Sequence, residues 1–211
     1  MKGKFIVIDG PDGSGKSTLT TNLIAALEAK GIKAIKTREP GGSNIGATVR
    51  ELLFDKTKHM DSVTEAMLVS ADRRQHLQDI VEPYLDEGVW VICDRFVLST
   101  YVYQGFSQPV QAVVQAALSD RVVPDLTLLL MPDPATAIER LKARGELNHF
   151  DTLSVDDYQA RMRKYGQIPP VFYTKAVRSL ILKPEETPEQ VCVLAMENIL
   201  LLRDRGTPIS E

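Results

Sequence analysis

Gly10-Pro11-Asp12-Gly13-Ser14-Gly15-Lys16-Ser17, followed by Thr18, fits the pattern G-x-x-x-x-G-K-S in full. The chemistry open to such a run is narrow. Glycines let successive backbone N–H groups turn inward on phosphate oxygens, and a helix starting at the end of the run adds partial positive charge. Lys16 would reach β- and γ-phosphate oxygens, and the Ser17 hydroxyl would sit on a magnesium ion. Asp94 supplies a carboxylate for the same ion. It ends the apolar run Val89-Trp90-Val91-Ile92-Cys93 and so emerges at the C-terminal edge of a buried strand, where it can hold magnesium directly or through water. A glycine-rich turn and a solvated Asp-Arg turn are the plain alternatives.

These residues need a scaffold, and the pattern around them supplies one. Short apolar runs read as buried strands at Phe5 to Ile8, Ala34 to Thr37, Val89 to Cys93, Leu126 to Met131 and Leu180 to Leu182. Helical periodicity fills the gaps. Ser17 to Lys30 puts Leu19, Leu23, Ala26 and Leu27 on one face, with Gly31 as a stop signal. Asn44 to Phe54 and Ser62 to Glu87 follow, the latter with Pro83 as an expected kink or junction; Pro134 to Arg144 and Pro188 to Leu202 each carry proline in the first turn. Strands apolar on both faces and alternating with helices predict a parallel sheet covered on two sides, a three-layer α/β fold. Between Arg144 and Asp157 the apolar pattern collapses. From the residues alone this is a surface loop or a lid.

Composition removes other classes. The 211 residues carry 25 Lys+Arg against 28 Asp+Glu, a formal charge of -3, without the basic excess expected of a nucleic-acid-coating protein. No apolar run approaches the ~20 residues of a membrane span. Two cysteines, Cys93 and Cys192, make no disulfide framework, and no Cys/His cluster has structural zinc spacing. The expectation is a cytoplasmic protein that binds neither nucleic acid nor membrane. A nucleotide-sensing switch is the rival from another class, but the Asn/Thr-Lys-x-Asp guanine motif is missing; the strand Leu126 to Met131 runs instead into Pro132-Asp133-Pro134.

Several further segments, in order along the chain, resemble the thymidylate kinases: Phe5 to Thr18, Thr37-Arg38-Glu39-Pro40-Gly41-Gly42, Ala71-Asp72-Arg73, Asp94-Arg95-Phe96 through Ser99-Thr100, Tyr103-Gln104-Gly105, Pro124-Asp125-Leu126-Thr127 and Ala143-Arg144-Gly145-Glu146-Leu147. The resemblance implies a P-loop fold with a five-stranded parallel sheet. It implies one nucleoside monophosphate kinase domain over 1–205, with a mobile lid near 143–157 and a loose tail at 206–211. It also implies transfer of the ATP γ-phosphoryl group to dTMP with Mg²⁺. On the same resemblance Gly10, Asp12, Gly13, Ser14, Gly15, Lys16, Ser17 and Thr18 hold the donor phosphates, and Ser17 and Asp94 the metal. Arg140 and Arg144 would lie near the adenine with the Lys183–Glu186 loop. Arg95 would clamp the acceptor phosphate and the transferring group, with Arg38, Arg50 and Asp12 on the acceptor side. Arg73 would meet the O4 edge of the pyrimidine, Thr100 and Gln104 its N3/O2 side, and Tyr103 the sugar, with Ser99 and Val69 also lining the substrate pocket. Family members are commonly homodimers, which the mixed surface of the Ser62 helix allows.

Three positions depart from the family pattern. Gly13 stands where some members carry a P-loop arginine, so the cation is expected in the lid; yet Asn148-His149-Phe150 replaces the usual Asp-Arg pair there. Either His149 acts as a cation, or Arg144, Arg140 or Arg161 takes over, or turnover is slow. Val69 stands where a phenylalanine stacks on thymine, a loss of about 1–3 kcal/mol unless Phe96, Phe54 or Tyr101 supplies the surface. Val102 stands where alanine is usual and is expected to add bulk near the base. Reshaping for dUMP or a 5-substituted dUMP, or decline into a weakly active nucleotide-binding paralogue, are the readings these changes leave open.

Overall fold

In a computed structural model, described over residues 2–55, 57–145, 154–168, 174–183 and 186–204, five parallel strands form one sheet in the order β2-β3-β1-β4-β5. They are β1 (Phe5–Asp9), β2 (Ala34–Arg38), β3 (Trp90–Asp94), β4 (Leu126–Met131) and β5 (Val177–Ile181). Because strand side chains alternate, the same strands feed two cores. Phe5, Val7, Val91, Cys93 and Leu129 face one, covered by α3 (Ser62–His76), α5 (Val97–Tyr103) and α6 (Gln108–Leu118). Ile6, Ile8, Ile92, Leu128 and Leu130 face the other, covered by α1 (Lys16–Glu28) and α9 (Pro188–Asp204). This is the expected three-layer P-loop α/β fold. Its register sets Ile8 beside both Asp94 and Leu128, so the ends of the three central strands lie level under one rim.

Two shorter units sit at that rim. α2 (Gly46–Phe54) packs on α3 through Val49, Leu53 and Val69, and α7 (Pro134–Arg144) packs on α8 (Val155–Gln167) through Ile138, Leu141 and Tyr158.

The structure corrects several expectations. The last strand lies at Val177–Ile181 rather than Leu180 to Leu182. It and β2 are edge strands with exposed positions, so apolarity on both faces holds only for the three central strands. The junction expected at Pro83 within Ser62 to Glu87 is present but begins earlier, as a π-helical turn at Leu77–Val81 before α4 (Glu82–Asp86). Pro83 has no N–H for the carbonyl four residues back, so the helix widens one turn earlier, with Glu82 N–H reaching Leu77 O. α5, α6 and α8 were not foreseen. α5 reads VLSTYVY and buries six of its seven residues, so no polar face marks its period. α8 has the opposite problem, only Tyr158 and Tyr165 being buried in a polar stretch. The tail 206–211, and residues 146–153 of the expected lid with His149, lie outside the described residues.

Candidate active site

β1 ends at Asp9 and the loop Gly10–Gly15 turns straight into α1, whose N-cap is Gly15 with φ 90°. Glycine is required here for two reasons. Gly13 has φ 77°, and a Cβ on it would stand 2.4 Å from Ala137 O in α7; at Gly10, φ 142°, a Cβ would stand 2.5 Å from Leu130 O. The loop is thus pressed between β4 and α7. Lys16 is buried beneath it, its Nζ donating to Pro11 O at 2.7 Å and Ser14 Oγ at 3.4 Å. Burial, then the charge of Arg95, pulls its pKa down to about 8 against the opposing pull of Asp12, Asp94 and Asp9.

Ser17 Oγ donates to Asp94 Oδ2 at 2.6 Å across the β1–β3 seam, while Asp94 Oδ1 is buried without a partner among the described residues. A carboxylate oxygen left in that state, beside a hydroxyl and a phosphate loop, fits a hard divalent cation.

The next residue, Arg95, adopts φ 71°, a strained value for a side chain of this size. Its N–H donates to Ile8 O at 2.9 Å, and its guanidinium donates to Gly10 O, to Ser99 Oγ and to Asp12. Burial opposes the charge, but Asp12, Tyr103 and other neighbours hold the Arg95 pKa well above its usual value. Asp12 in turn accepts from Tyr103 Oη at 2.6 Å and has Arg161 Nη1 at 3.9 Å. Burial pushes its pKa up, but Arg95, Lys16, Tyr103 and Arg161 outweigh that and leave it below the normal carboxylate range. Tyr103 rises to about 12, through burial first. Arg95 and Arg161 lie over its ring at 5.2 and 4.8 Å.

Two cavities meet at this knot. The donor-side cavity is lined by Gly13, Gly15, Lys16, Ser17, Thr18, Arg38, Asp94 and Arg140. The acceptor-side cavity is lined by Leu53, Phe54, Val69, Arg73, Phe96, Ser99, Thr100, Tyr103 and Gln104. Asp12, Glu39, Arg50, Arg95 and Arg144 belong to both. Beyond the loop a third depression runs from Gly15, Thr18 and Arg140 to Lys183 and Glu186.

Arg73 departs most from a helical arginine's ordinary fate as a solvated charge. It is 1% exposed, with Nε on Glu39 Oε2 at 2.7 Å, Nη2 on Thr100 Oγ1 at 3.0 Å, and its plane over Phe96 at 4.9 Å. Its Nη1 has no partner among the described residues. Gln104 Nε2 donates to Glu65 at 2.9 Å, which turns the amide oxygen into the acceptor available to a ligand. Arg50 donates to Pro40 O and lies 4.6 Å from the centre of the Phe54 ring; burial, then Arg38 and Arg95, depresses its pKa.

All the described site residues foreseen from sequence therefore gather at one rim, with three refinements. Gly10 takes part through its carbonyl and its φ and is in neither of the two main cavities, while Ser14 contacts Lys16 and lines the third depression rather than those two. Phe54 and Phe96 line the acceptor cavity beside Val69, whereas Tyr101 stacks edge-on with Phe106 and is no candidate for the stacking surface. Val102 is buried in the core rather than in the cavity wall, so its bulk does not narrow the pocket. Residues not foreseen are as informative. Asp9 is fully buried and accepts from Ser99 Oγ at 2.7 Å and from the N–H groups of Gly10, Phe96 and Ser99. It thereby caps α5 from another strand. Burial raises its pKa. Tyr158 and Tyr165 bond Asp12 O and Gly10 O from α8. Asp72 accepts from Gly41 N–H and Ser43 Oγ and shapes the loop after β2. Asp9 could have been found as the polar end of an apolar strand; the tyrosines carried no local signal.

The chain as a whole is similar to known proteins. The family described as thymidylate kinase matches residues 8–190. The thymidylate kinase of Caldicellulosiruptor saccharolyticus is 39% identical over 176 residues, covering 82% of this chain and 85% of the relative. That of Clostridium novyi is 40% identical over 171 residues, 77% and 82% of the two chains. That of Bacillus cytotoxicus is 37% identical over 209 residues, 95% of this chain and all of the relative.

Proposed function

The chain belongs to the thymidylate kinase family, and from that premise we propose that it transfers the γ-phosphoryl group of ATP to dTMP, giving dTDP, with Mg²⁺. The observation that carries the substrate is Arg73 in the wall of the acceptor cavity, its guanidinium buried and its Nη1 without a partner among the described residues. A buried guanidinium N–H demands an acceptor, since leaving it unmet costs about 1–3 kcal/mol. Thymine and uracil present a carbonyl oxygen at position 4, whereas cytosine presents a donor amino group there. The Gln104 amide oxygen suits the N3–H of the same bases. Leu53, Phe54 and Val69 give an apolar wall, consistent with a 5-methyl group. dUMP would satisfy the same two polar contacts, so the wall alone separates it from dTMP.

The geometry supports the following division of labour. The loop amides and Lys16 bind the donor phosphates, with Thr18 and Arg140 towards the nucleoside. Arg50, which lines both cavities, holds the acceptor phosphate; Arg38, expected beside it, lies instead on the donor-side wall and faces the transferring group, and Arg95, pinned by Asp12 and Ser99, stands where the two cavities join. Tyr103, tied to Asp12, closes the sugar side. Ser17 and Asp94 would hold Mg²⁺, which when bound neutralises phosphate charge and orients the donor. The catalytic cation expected in the lid falls to Arg144, which lines both cavities, with Arg161 beside Asp12 as support. Bringing two polyanions together is mostly positioning and charge neutralisation, and the site is built of little else.

A single kinase domain over 1–205 with 143–157 as its lid, a cytoplasmic setting and a homodimer complete the proposal. Both cysteines are free and buried, in keeping with a reducing compartment. Among the described residues no helix is long and apolar enough to cross a membrane. Met67, 54% exposed on α3, offers apolar surface for pairing. The test is an acceptor panel with MgATP. dTMP is expected first, dUMP weaker, and dCMP and purine monophosphates far behind. Preference for dCMP, or no phosphoryl transfer to any acceptor, refutes the reading.

A further inference from the structure

Behind Arg73 lies a buried polar chain that runs away from the acceptor cavity to β2. Arg73 Nε donates to Glu39 Oε2 at 2.7 Å; Glu39 Oε1 meets His76 Nδ1 at 2.9 Å; His76 Nε2 meets Thr37 Oγ1 at 2.7 Å. Arg73, Glu39 and His76 are all at most 2% exposed. A carboxylate paired with arginine only accepts, so Nδ1 carries a hydrogen towards it and Nε2 faces the threonine hydroxyl. The ring has no room to turn aside: a Cβ on Gly42 would stand 2.6 Å from its Cδ2 and Nε2. Cys93 brings its sulfur within 4.8 Å of the Glu39 and His76 ligand atoms. That cluster is not an ion site in this arrangement. Both Glu39 oxygens are taken, the Cys93 thiol points at Arg95 O at 3.1 Å, and burial pushes its pKa well up.

We infer that His76 is a positioning residue for base selection: anchored to Thr37 on β2, it fixes the Glu39 carboxylate that aims the Arg73 guanidinium at the base. Glu39 has two oxygens and two jobs. If Oε1 loses its donor, the carboxylate can rotate, and Nη1 of Arg73 moves with it off the line to a position-4 oxygen. The contact at stake is a charge-assisted hydrogen bond, so the loss falls on discrimination between bases. The donor phosphates fall to Lys16 and the loop amides; Lys16 bonds Pro11 O and Ser14 Oγ, and the chain's own hydrogen bonds run to Arg73, His76 and Thr37 instead. The inference rests on the dTMP kinase reading and deepens it.

Steady-state kinetics with MgATP, comparing dTMP with dCMP, test it on the full chain with the variants His76→Leu, His76→Asn and Thr37→Val. His76→Leu is expected to raise KM for dTMP about ten- to hundredfold and to shrink the dTMP-to-dCMP ratio by a similar factor, with KM for MgATP unchanged. His76→Asn keeps a donor in the Nδ1 position and is expected to recover most of that loss, which a merely structural role would not predict. Thr37→Val should move KM for dTMP the same way, about two- to tenfold, and it carries the test alone if His76→Leu does not fold. Unchanged selectivity in His76→Leu, a parallel loss for both nucleotides, an asparagine variant no better than leucine, or an unmoved Thr37→Val overturns the inference. These results are distinct from failure of the kinase reading itself, which would show as a wild-type chain that turns over no dTMP.

Discussion

Nucleotide binding should drive a proton onto Lys16, and the amount can be worked out. Its pKa is lowered from 10.5 to about 8, because it is buried and shares the rim with Arg95. A lowered lysine pKa means that the charged form is the disfavoured one, by roughly 3 kcal/mol here. The folded protein therefore binds fewer protons at this site than the unfolded chain between pH 8 and 10.5. In that window stability rises with pH, and the penalty is fully present below it. Triphosphate oxygens placed against Nζ reverse the balance and restore the ordinary value. At pH 9 a group of pKa about 8 is about 10% protonated, and one near 10.5 about 97%, so binding takes up about 0.9 proton. At pH 7 the same arithmetic gives about 0.1. Calorimetric titration with a non-hydrolysable ATP analogue and Mg²⁺, repeated in buffers of different ionisation enthalpy, reads this number directly. Lys16→Met, titrated at a concentration that compensates for weaker binding, should show no uptake at pH 9. Uptake below about 0.3 at pH 9 in the wild-type protein would refute the argument that the loop holds a destabilised cation for the phosphates.

Arg95→Ala should lower kcat for dTMP phosphorylation by about 10²–10⁵ with the thermal unfolding curve nearly unmoved, since Asp12 keeps Lys16, Tyr103 and Arg161 as neighbours. Arg73→Leu behaves differently: it strands Glu39 in the interior, so a loss of about 3–5 kcal/mol and a fall in Tm of about 6–20 °C should accompany the rise in KM for dTMP. Gly13→Ala drives a Cβ against the Ala137 carbonyl at 2.4 Å and at φ 77°. The clash should cost about 1–3 kcal/mol and weaken MgATP binding more than Arg140→Ala does, as measured by calorimetry. Asp94→Asn removes one of the proposed metal ligands and should raise the Mg²⁺ concentration for half-maximal rate about tenfold or more, without changing unfolding in the absence of nucleotide by more than about 1 kcal/mol.

What could be read from the sequence divides along a physical line. The phosphate loop was readable because its chemistry is local: backbone amides, a lysine and a hydroxyl within eight consecutive residues need only a strand before and a helix after. Asp94 was readable for a similar reason, as the first polar residue after five apolar ones. Arg73 was readable only by resemblance, since nothing in Ala71-Asp72-Arg73 says that a helical arginine will be buried; that is decided by Glu39, 34 residues away. α8 was out of reach altogether. Its composition is that of a surface helix, and Tyr158, Arg161 and Tyr165 gain meaning only when packing on α7 brings them over Asp12 and Gly10. The mistaken emphasis on Val102 has the same origin. Position in a motif does not say which way a side chain on a seven-residue helix points, and this one points into the core.

The joint between the two cavities also explains why the departures at Val69 and His149 need not disable the site. Asp12, Glu39, Arg50, Arg95 and Arg144 line both cavities, and of the two carboxylates Glu39 is committed to Arg73 and His76. That leaves Asp12 as the main counter-charge for Arg95, Lys16 and Arg161, while Arg50 sits under the repulsion of Arg38 and Arg95. Such an excess of buried and half-buried cations is unfavourable in the protein alone and is relieved by phosphate on either side. Its strength does not depend on any single arginine, so a lid position occupied by histidine subtracts one cation from a set that already includes Arg144 and Arg161. A valine in the base wall subtracts stacking from a pocket in which Phe54, Phe96 and the Arg73 donor remain. On the proposed reading, selectivity for phosphorylated ligands comes from the cluster and the choice of base from the Arg73 assembly, two devices joined at Glu39–Pro40 and along α5, where Ser99 accepts from Arg95 and Thr100 from Arg73.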